Sequence, residues 1–427
     1  MSPPPPGGLT ARLNSTPGWA FALYAGGAAF VAYFCMYGLR KPVDAITFTG
    51  AKFLGTQVDL KTACVLGQIL GYVVSKYVGV RVCSGAGRTQ RGALLVVAGV
   101  WAELALVAFA LVPDGLRPVA MFANGLPLGV VWGLIIRYLE GRRTSDLLLV
   151  MLSGSFVIAG AATKDFGLYL LTARGVPEVW VPAAAGVVFL VPYLAAGRLL
   201  RSLPPPTAAD EAARSARPDL DAAGRRAFLA RVGAGFFLLL FAYFLLTAYR
   251  DFRDHYGREI LQAMGHGGAP GIFVRTDRWA LVVALIALGL LNLIGSHRRA
   301  IAVVYAMVLT GFGIIAGATL AYRAGHLDGV DWLAAVGVGL YLAYVPLGTV
   351  LFERVVAAAR FPGTSVFAVQ LADGIGYTGS VLLQLYRDLV HSDMDRLAFF
   401  EPLSLVVAAA GAAATVVGGL SVWRRLN

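Results

Sequence analysis

Long apolar runs recur along almost the whole chain and restrict what it can fold into. Twelve runs come close to the length of about 20 apolar residues that a helix needs to cross a bilayer. Only 14% of the residues are charged, against about 25% in soluble proteins. We therefore predict an all-α polytopic membrane protein with twelve transmembrane helices, whose main solvent is the lipid bilayer. The runs cover approximately residues 18–39, 59–82, 92–113, 116–139, 146–173, 178–200, 228–249, 277–296, 299–322, 331–354, 361–390 and 397–423.

Arginines concentrate in alternate connections between these runs. If the N-terminus is cytoplasmic, most outer connections hold at most one cation, and the inner ones follow the positive-inside rule. The inner cations are Arg88, Arg91, Arg142, Arg143, Arg201, Arg214, Arg217, Arg225, Arg226, Arg298, Arg299, Arg360, Arg424 and Arg425. We predict that both termini are cytoplasmic and that the membrane is the plasma membrane, the inner membrane of a bacterium. The net charge of +12 then reflects orientation, and no nucleic-acid partner is expected.

A polar stretch rich in alanine, arginine and proline interrupts the apolar pattern near the middle of the chain, at residues 201–227. We predict a cytoplasmic tail (1–17), a first half of six helices (18–200), a cytoplasmic linker (201–227) and a second half of six helices (228–427). Three features recur in equivalent runs of both halves: Pro127-Leu128-Gly129 with Pro346-Leu347-Gly348, Asp165 and Tyr169 with Asp373 and Tyr377, and Arg40 with Arg250. These matches predict a duplicated six-helix unit, as found in solute transporters.

The twelve runs, the repeat and the long central loop together resemble the major facilitator superfamily. Within it the chain is most similar to the organophosphate:phosphate antiporters. Three short stretches carry this likeness: Tyr37 to Arg40-Lys41 at the end of run one, Ser75-Lys76 in run two, and Tyr249-Arg250 late in run seven. The resemblance implies that Arg40 and Arg250 are paired phosphate-binding arginines and that Lys76 is the lysine beneath them. It also implies two halves that rock about a central solute site, by alternating access.

The chain departs from this family at two places. The Asp of the superfamily's loop signature between runs two and three is absent, because residues 80–83 follow Gly79 without one. Run five carries Lys164-Asp165 where the antiporters have a histidine region. These departures indicate a divergent branch, an uncharacterised membrane family with its own substrate.

Arg40 and Lys41 are exceptions to the charge rule, since they lie in a predicted outer connection. Arginine presents a planar fork that can bind phosphate or carboxylate through two hydrogen bonds, so Arg40 is the first candidate for an anion site. The alternative is that Arg40 extends to the outer membrane surface. Lys41 either joins the same site or faces solvent. Lys76 contributes positive charge to the site or reaches the inner headgroups.

Charged residues inside other runs are the next candidates. Lys164 and Asp165 lie deep in run five, where an unpaired charge costs at least about 2.5 kcal/mol. They handle solute or protons, or form a salt bridge between helices. Asp373 in run eleven either pairs with a cation such as Lys164 or Arg40, or accepts a proton.

The run of mixed charge from Arg250 to Asp254 has two interpretations. Arg250 faces the solute path as the counterpart of Arg40, or the whole run, with Asp251 and Arg253, is a solvated helix cap. Five further charged residues at or within runs are interpreted as inner-face or interhelical ion pairs: Glu103, Arg137, Glu140, Glu353 and Arg354.

The sequence offers little for catalysis. The histidines (His255, His266, His297, His326 and His391) are predicted in loops without metal-ligand spacing, so neither a metal nor a cofactor is expected. No Gly-rich phosphate loop precedes a Lys-Ser/Thr pair, so ATP is not the expected energy source. We predict a secondary-active transporter of a small anionic metabolite, phosphorylated or carboxylated, rather than an enzyme, and expect a monomer. The alternatives are a proton-coupled carrier of a neutral or zwitterionic solute, and a transporter-like sensor or scaffold that binds without transporting.

Overall fold

The computed structural model describes residues 8–85, 88–139, 142, 145–206, 210, 233–351, 354–355 and 366–426. The chain divides into two compact units, unit 1 (Met1–Ser215) and unit 2 (Ala216–Asn427). Most of the predicted linker lies outside the described residues, with Arg214, Arg217, Arg225 and Arg226. So do Glu140, Arg143, Glu353 and Arg360.

Unit 1 is a bundle of long helices within its described residues. They are α1 (Gly18–Gly38), α2 (Leu60–Gly85), α3 (Arg88–Leu111), α4 in two segments (Arg117–Leu128 and Val131–Leu139), α5 (Ser145–Thr172) and α6 (Val181–Arg201). A short helix, Gly8–Asn14, precedes α1. Four 3₁₀ turns lie in the connections, at Pro42–Ala45, Phe53–Gly55, Asp114–Leu116 and Glu178–Trp180.

Unit 2 has the same order of long helices over its described residues. They are α7 (Ala234–His255), α8 (Ile272–Asn292), α9 (His297–Arg323), α10 (Gly329–Pro346), α11 (Val366–Val390) and α12 (Arg396–Leu426). A short helix, Gly257–Ala263, follows α7, and a π-helical turn, Leu347–Leu351, continues α10. Thus His255 and His297 lie in helices, and the prediction that all five histidines are in loops is wrong for these two.

Eight of the described helices are long and apolar enough to cross a membrane. The other four predicted spans are also helices, namely α2, α5, α8 and α11, with lengths between 21 and 28 residues. These are the second and fifth helices of each unit, and they carry ionisable residues such as Lys76, Lys164, Asp277 and Asp373. The chain is an integral membrane protein, and the prediction of an all-α membrane fold is confirmed.

Glycines bring α2 and α4 into close contact in unit 1. A Cβ atom on Gly71 would lie 2.1 Å from the carbonyl oxygen of Phe122, and one on Gly125 would lie 2.2 Å from that of Gln68. Gly67 and Gly129 pack equally tightly against the facing helix. Each helix therefore carries two small residues four positions apart, the spacing that lets membrane helices approach at backbone distance.

Contacts at its two ends show that α1 and α6 of unit 1 run antiparallel. At one end, Thr10 before α1 donates a hydrogen bond to the carbonyl of Ser202 after α6 (3.0 Å). At the other end, Glu178 before α6 accepts one from the backbone amide of Thr47 after α1 (2.7 Å). The connections that the charge pattern assigns to one side of the membrane thus meet at one end of the unit.

Candidate functional site

Arg40 lies inside unit 1, although α1 ends at Gly38. The chain does not leave the bundle there, because the 3₁₀ turn Pro42–Ala45 that follows is buried throughout. Arg40 is itself only 8% exposed. The helix therefore ends within the protein, and this places the guanidinium in the interior rather than at the outer membrane surface.

Two buried amides hold the end of α1 in position. Asn124 of α4 donates hydrogen bonds to the carbonyls of Leu39 (3.1 Å) and Ala102 (3.0 Å). Gln68 of α2 donates to the side chain of Asn124 (2.8 Å) and to the carbonyl of Arg40 (3.3 Å). Four helices are thereby joined at one point, and the backbone of Arg40 is fixed from α2. The sequence analysis did not identify these amides.

Tyr72 places the two predicted cations of unit 1 against one aromatic ring. The Cζ atom of Arg40 lies 4.5 Å from the ring centroid, and the Nζ atom of Lys76 lies 5.4 Å from it. Both distances suit a cation–π interaction. Arg40 and Lys76 are therefore near neighbours, as the family resemblance implied. Tyr72, which lies one turn before Lys76, is the residue that the sequence analysis missed.

Lys41 has a different environment from Arg40. Its Nζ atom forms an ion pair with Asp44 (2.9 Å), and both side chains are buried. Lys61 of α2 also donates a hydrogen bond to the carbonyl of Asp44 (3.2 Å). The interpretation that Lys41 faces solvent is wrong, and its contacts instead hold the 3₁₀ turn after Arg40 together.

Lys164 and Asp165 are buried in α5, with Lys164 only 2% exposed. Gly167, less than one turn later, packs against Pro42 and Ala45, where a Cβ atom would lie 3.2–3.3 Å from its neighbours. The two charged residues therefore lie in the part of α5 that supports the turn after Arg40.

Arg250 of α7 is half-buried in unit 2 and already engages a carboxylate. Its Nε and Nη2 atoms donate to one oxygen of Asp251, at 2.9 and 2.6 Å. Its Cζ atom lies 4.4 Å from the ring centroid of Tyr344 in α10. Arg250 resembles Arg40 in stacking on a tyrosine, but part of its hydrogen-bonding fork is bound to its neighbour.

Asp373 has a phenol partner in unit 2. The hydroxyl of Tyr243 can donate its one proton either to Asp373 (3.1 Å) or to the hydroxyl of Tyr344 (3.0 Å). The rings of Tyr243 and Tyr344 are stacked, with centroids 5.2 Å apart. Because Tyr344 also contacts Arg250, the four side chains form one continuous polar cluster. Neither tyrosine was identified from the sequence.

The mixed charges after Arg250 are not a solvated cap. Arg253 is buried and bonds both Asp277 of α8 (2.7 Å) and the carbonyl of Leu333 in α10 (3.0 Å). Asp251 is also buried. The solvated interpretation is therefore wrong for these residues, and Arg253 links three helices of unit 2.

Two other sequence-based expectations can be compared with the described residues. Glu103 was interpreted as part of an ion pair, yet both of its carboxylate oxygens are buried and no described group donates a hydrogen bond to them. That interpretation is wrong for Glu103. Among the described residues no group of three or more His, Cys, Asp or Glu side chains could hold a metal ion.

The family can be identified from the sequence. The model of DUF5690, a family of unknown function, matches residues 42–425. The chain belongs to this family. No curated protein sequence matches the chain.

Solved membrane proteins share the fold at low sequence identity. The nucleoside transporter NupG is 14% identical with a TM-score of 0.62, over 94% of this chain and 98% of that one. A D-xylose-proton symporter is 14% identical with a TM-score of 0.63, over 94% and 97%. A bacterial homologue of the human lysosomal transporter Spinster, inward-facing and unoccupied, is 12% identical with a TM-score of 0.62, over 96% and 95%. The chain therefore has the major facilitator fold.

Proposed function

We propose that this protein is a secondary-active transporter of a small anionic metabolite, phosphorylated or carboxylated, that works by alternating access. The observation that carries this proposal is the pair of cations on Tyr72. Arg40 and Lys76 bring two positive charges to one ring inside unit 1. Charged side chains inside membrane proteins are rare and often mark solute or ion pathways. The family resemblance to organophosphate:phosphate antiporters supports the same solute class.

The other candidate residues take supporting roles in this proposal. Arg250 binds the solute after exchanging its hydrogen bonds to Asp251 for bonds to the anion. Lys164 and Asp165 set the charge balance near the turn after Arg40. Lys41 is excluded from solute binding because Asp44 and the buried turn already hold it.

A second candidate function is a proton-coupled carrier of a neutral or zwitterionic solute. It is favoured by the cluster of Asp373, Tyr243 and Tyr344, in which a carboxylate and two phenols can exchange a proton along hydrogen bonds. The similarity to a D-xylose-proton symporter gives this candidate further support. In it, Asp373 takes up the proton and Arg40 has no contact with solute.

We also propose the orientation and organisation of the chain. The arginine-rich ends lie in the cytoplasm with both termini, and the membrane is the plasma membrane, the inner one in a bacterium. Residues 18–200 and 228–427 are the two repeats, joined by a cytoplasmic linker, and the protein is monomeric. Reporter fusions at residues 49 and 210 test the orientation, since only position 49 should lie on the outer side of the membrane.

The decisive experiment is a thermal-shift titration of the purified protein with inorganic phosphate, glycerol 3-phosphate and citrate. A ligand that binds only the folded state increases the free energy of unfolding, by about 2.7 kcal/mol at a ligand concentration of 100 times Kd. The melting temperature rises as a result. We expect a rise for wild type and none for Arg40→Lys. Arg323→Lys is the matched control, because Arg323 belongs to unit 2, is exposed and pairs with Glu401.

Uptake assays separate the candidates. Counterflow of labelled phosphate in proteoliposomes supports the anion transporter, whereas xylose uptake driven only by an imposed pH gradient supports the proton-coupled carrier. Phosphate binding without counterflow would make the protein a sensor. If phosphate, glycerol 3-phosphate and citrate all leave the melting temperature unchanged, the anion proposal fails.

A further inference from the structure

Glu103 is a buried carboxylate that the proposed transport site does not use. It lies on the inner side of α3 and is only 6% exposed, whereas the neighbouring Trp101 and Leu104 are at least half exposed. Its side chain points at Gly186 of α6. A Cβ atom on Gly186 would lie 1.9 Å from the Oε2 atom of Glu103, so the space for the carboxyl exists only because residue 186 is a glycine.

Neither carboxylate oxygen has a hydrogen-bond donor among the described residues. The elements packed against α3 are α4, α6 and the turn before α6. Their described ionisable side chains, with those of α3 itself, are Arg91, Arg117, Arg137, Tyr138, Glu178, Tyr193, Arg198 and Arg201. In the part of the chain that the structure describes, none of them forms an ion pair or hydrogen bond with Glu103.

The nearest of these groups either have partners of their own or lie beside parts of α3 that are far from Glu103. Tyr193 donates its hydroxyl to the carbonyl of Leu95 (3.0 Å). Arg117 pairs with Asp114 (2.6 Å) and lies beside Phe109, which is about 9 Å along the helix axis from residue 103. Arg201 contacts Gly92, about 16 Å away in the other direction.

An isolated carboxylate ion in an apolar interior is strongly unfavourable, and such a group takes up a proton instead. We propose that Glu103 is a proton-binding site, occupied at neutral pH, and that loss of this proton loosens the contact between α3 and α6. The site is separate from the cations on Tyr72. Its ligand is the proton, and the rival ligand is a monovalent cation such as Na⁺.

Infrared spectroscopy tests the occupied state directly. The difference spectrum between wild type and Glu103→Gln at pH 7 should contain the C=O band of a protonated carboxyl in wild type. The matched control is Glu178→Gln, because Glu178 accepts hydrogen bonds from the amides of Thr47 and Phe48 and so is not an isolated carboxyl. Absence of the band from the Glu103→Gln difference spectrum overturns the proposal. If Glu103→Gln does not fold, Glu103→Leu provides the same comparison.

The pH dependence of stability tests the consequence. A glutamate in the unfolded chain is ionised above about pH 5, so the folded protein would hold one more proton. The unfolding equilibrium constant of wild type should therefore increase about tenfold per pH unit relative to Glu103→Gln, until Glu103 itself ionises. A difference in melting temperature that is constant between pH 5 and 8 contradicts the proposal. A melting temperature that rises with NaCl but not choline chloride in wild type alone would assign the site to Na⁺ instead.

Discussion

Arg40 and Arg250, which the sequence predicts to be counterparts in a repeat, have different surroundings. In unit 1, Arg40 shares the ring of Tyr72 with a second cation, Lys76. In unit 2, Arg250 stacks on Tyr344 but is bonded to the carboxylate of Asp251. The first arrangement brings two cations to one ring, whereas the second binds one cation to a neighbouring carboxylate.

In the function that we propose, this difference gives Arg40 and Arg250 different roles in binding the anion. In this proposal, the two cations on one ring attract an anion through their shared positive charge. A site in which a carboxylate already occupies the guanidinium responds only when that bond is exchanged. Arg40 and Arg250 thus differ in what an anion must displace in order to bind, and the following predictions test this comparison.

The largest effect is expected from Arg40→Lys, compared with Arg250→Lys. A lysine keeps the charge of Arg40 but loses the fork, and a hydrogen bond to a charged group is worth about 1.5–3 kcal/mol. We expect Arg40→Lys to reduce phosphate counterflow about 10- to 100-fold, and Arg250→Lys to reduce it less. Equal losses in the two variants would remove the distinction between the units, provided that both proteins insert at wild-type levels.

The second comparison concerns the glycines that position each site. Gly125→Ala places a Cβ atom against the backbone of α2, which cannot move away, whereas Gly348→Ala meets the ring of Tyr243 at 2.8 Å. Overpacking costs about 1–3 kcal/mol, and we expect the upper end for Gly125→Ala and the lower end for Gly348→Ala in denaturation assays. Gly27→Ala is the control, because nothing lies within 4 Å of its Cβ position. If Gly27→Ala is as harmful as Gly125→Ala, close packing is not the cause.

The helices of this fold could be predicted because each one coincides with a long run of apolar residues. Runs of apolar residues of bilayer length leave few alternatives, and the predicted major facilitator fold is confirmed. Even the four helices with charged interiors were located correctly. The sequence pattern also paired Arg40 with Arg250, which lie just after the end of α1 and near the end of α7.

The partners of these residues could not be predicted in the same way. Hydropathy shows that a residue is in a helix but not which neighbouring helix its side chain meets. Tyr72, Gln68 and Asn124 looked like ordinary polar residues in apolar runs, and the pattern did not indicate the partner of Lys41. The pairing of Lys41 with Asp44 depends on a 3₁₀ turn that remains buried after α1 ends. This is a tertiary feature without a periodic signal.

The third prediction compares the buried polar anchors of the two units. Asn124→Ala removes two donors to backbone carbonyls and the acceptor of Gln68, whereas Ser404→Ala in unit 2 removes the partner of the Tyr249 hydroxyl (2.6 Å). Unsatisfied buried polar groups cost about 1–3 kcal/mol. We expect Asn124→Ala to lose about 2 kcal/mol in denaturation assays and Ser404→Ala about 1 kcal/mol. A larger loss for Ser404→Ala would mean that the amides do not anchor the end of α1.

The smallest effect is expected from Asp251→Asn. This variant decides whether Asp251 competes with the solute for Arg250 or orients Arg250 towards it. If Asp251 competes with the solute for Arg250, the amide should release the fork. Phosphate binding, measured by thermal shift, should then tighten about fivefold, which corresponds to about 1 kcal/mol. If binding weakens instead, Asp251 orients Arg250 towards the solute, and unit 2 holds a preassembled contact rather than a conditional one. Lys52→Gln, which breaks the exposed pair with Asp59, controls for the loss of an ion pair as such.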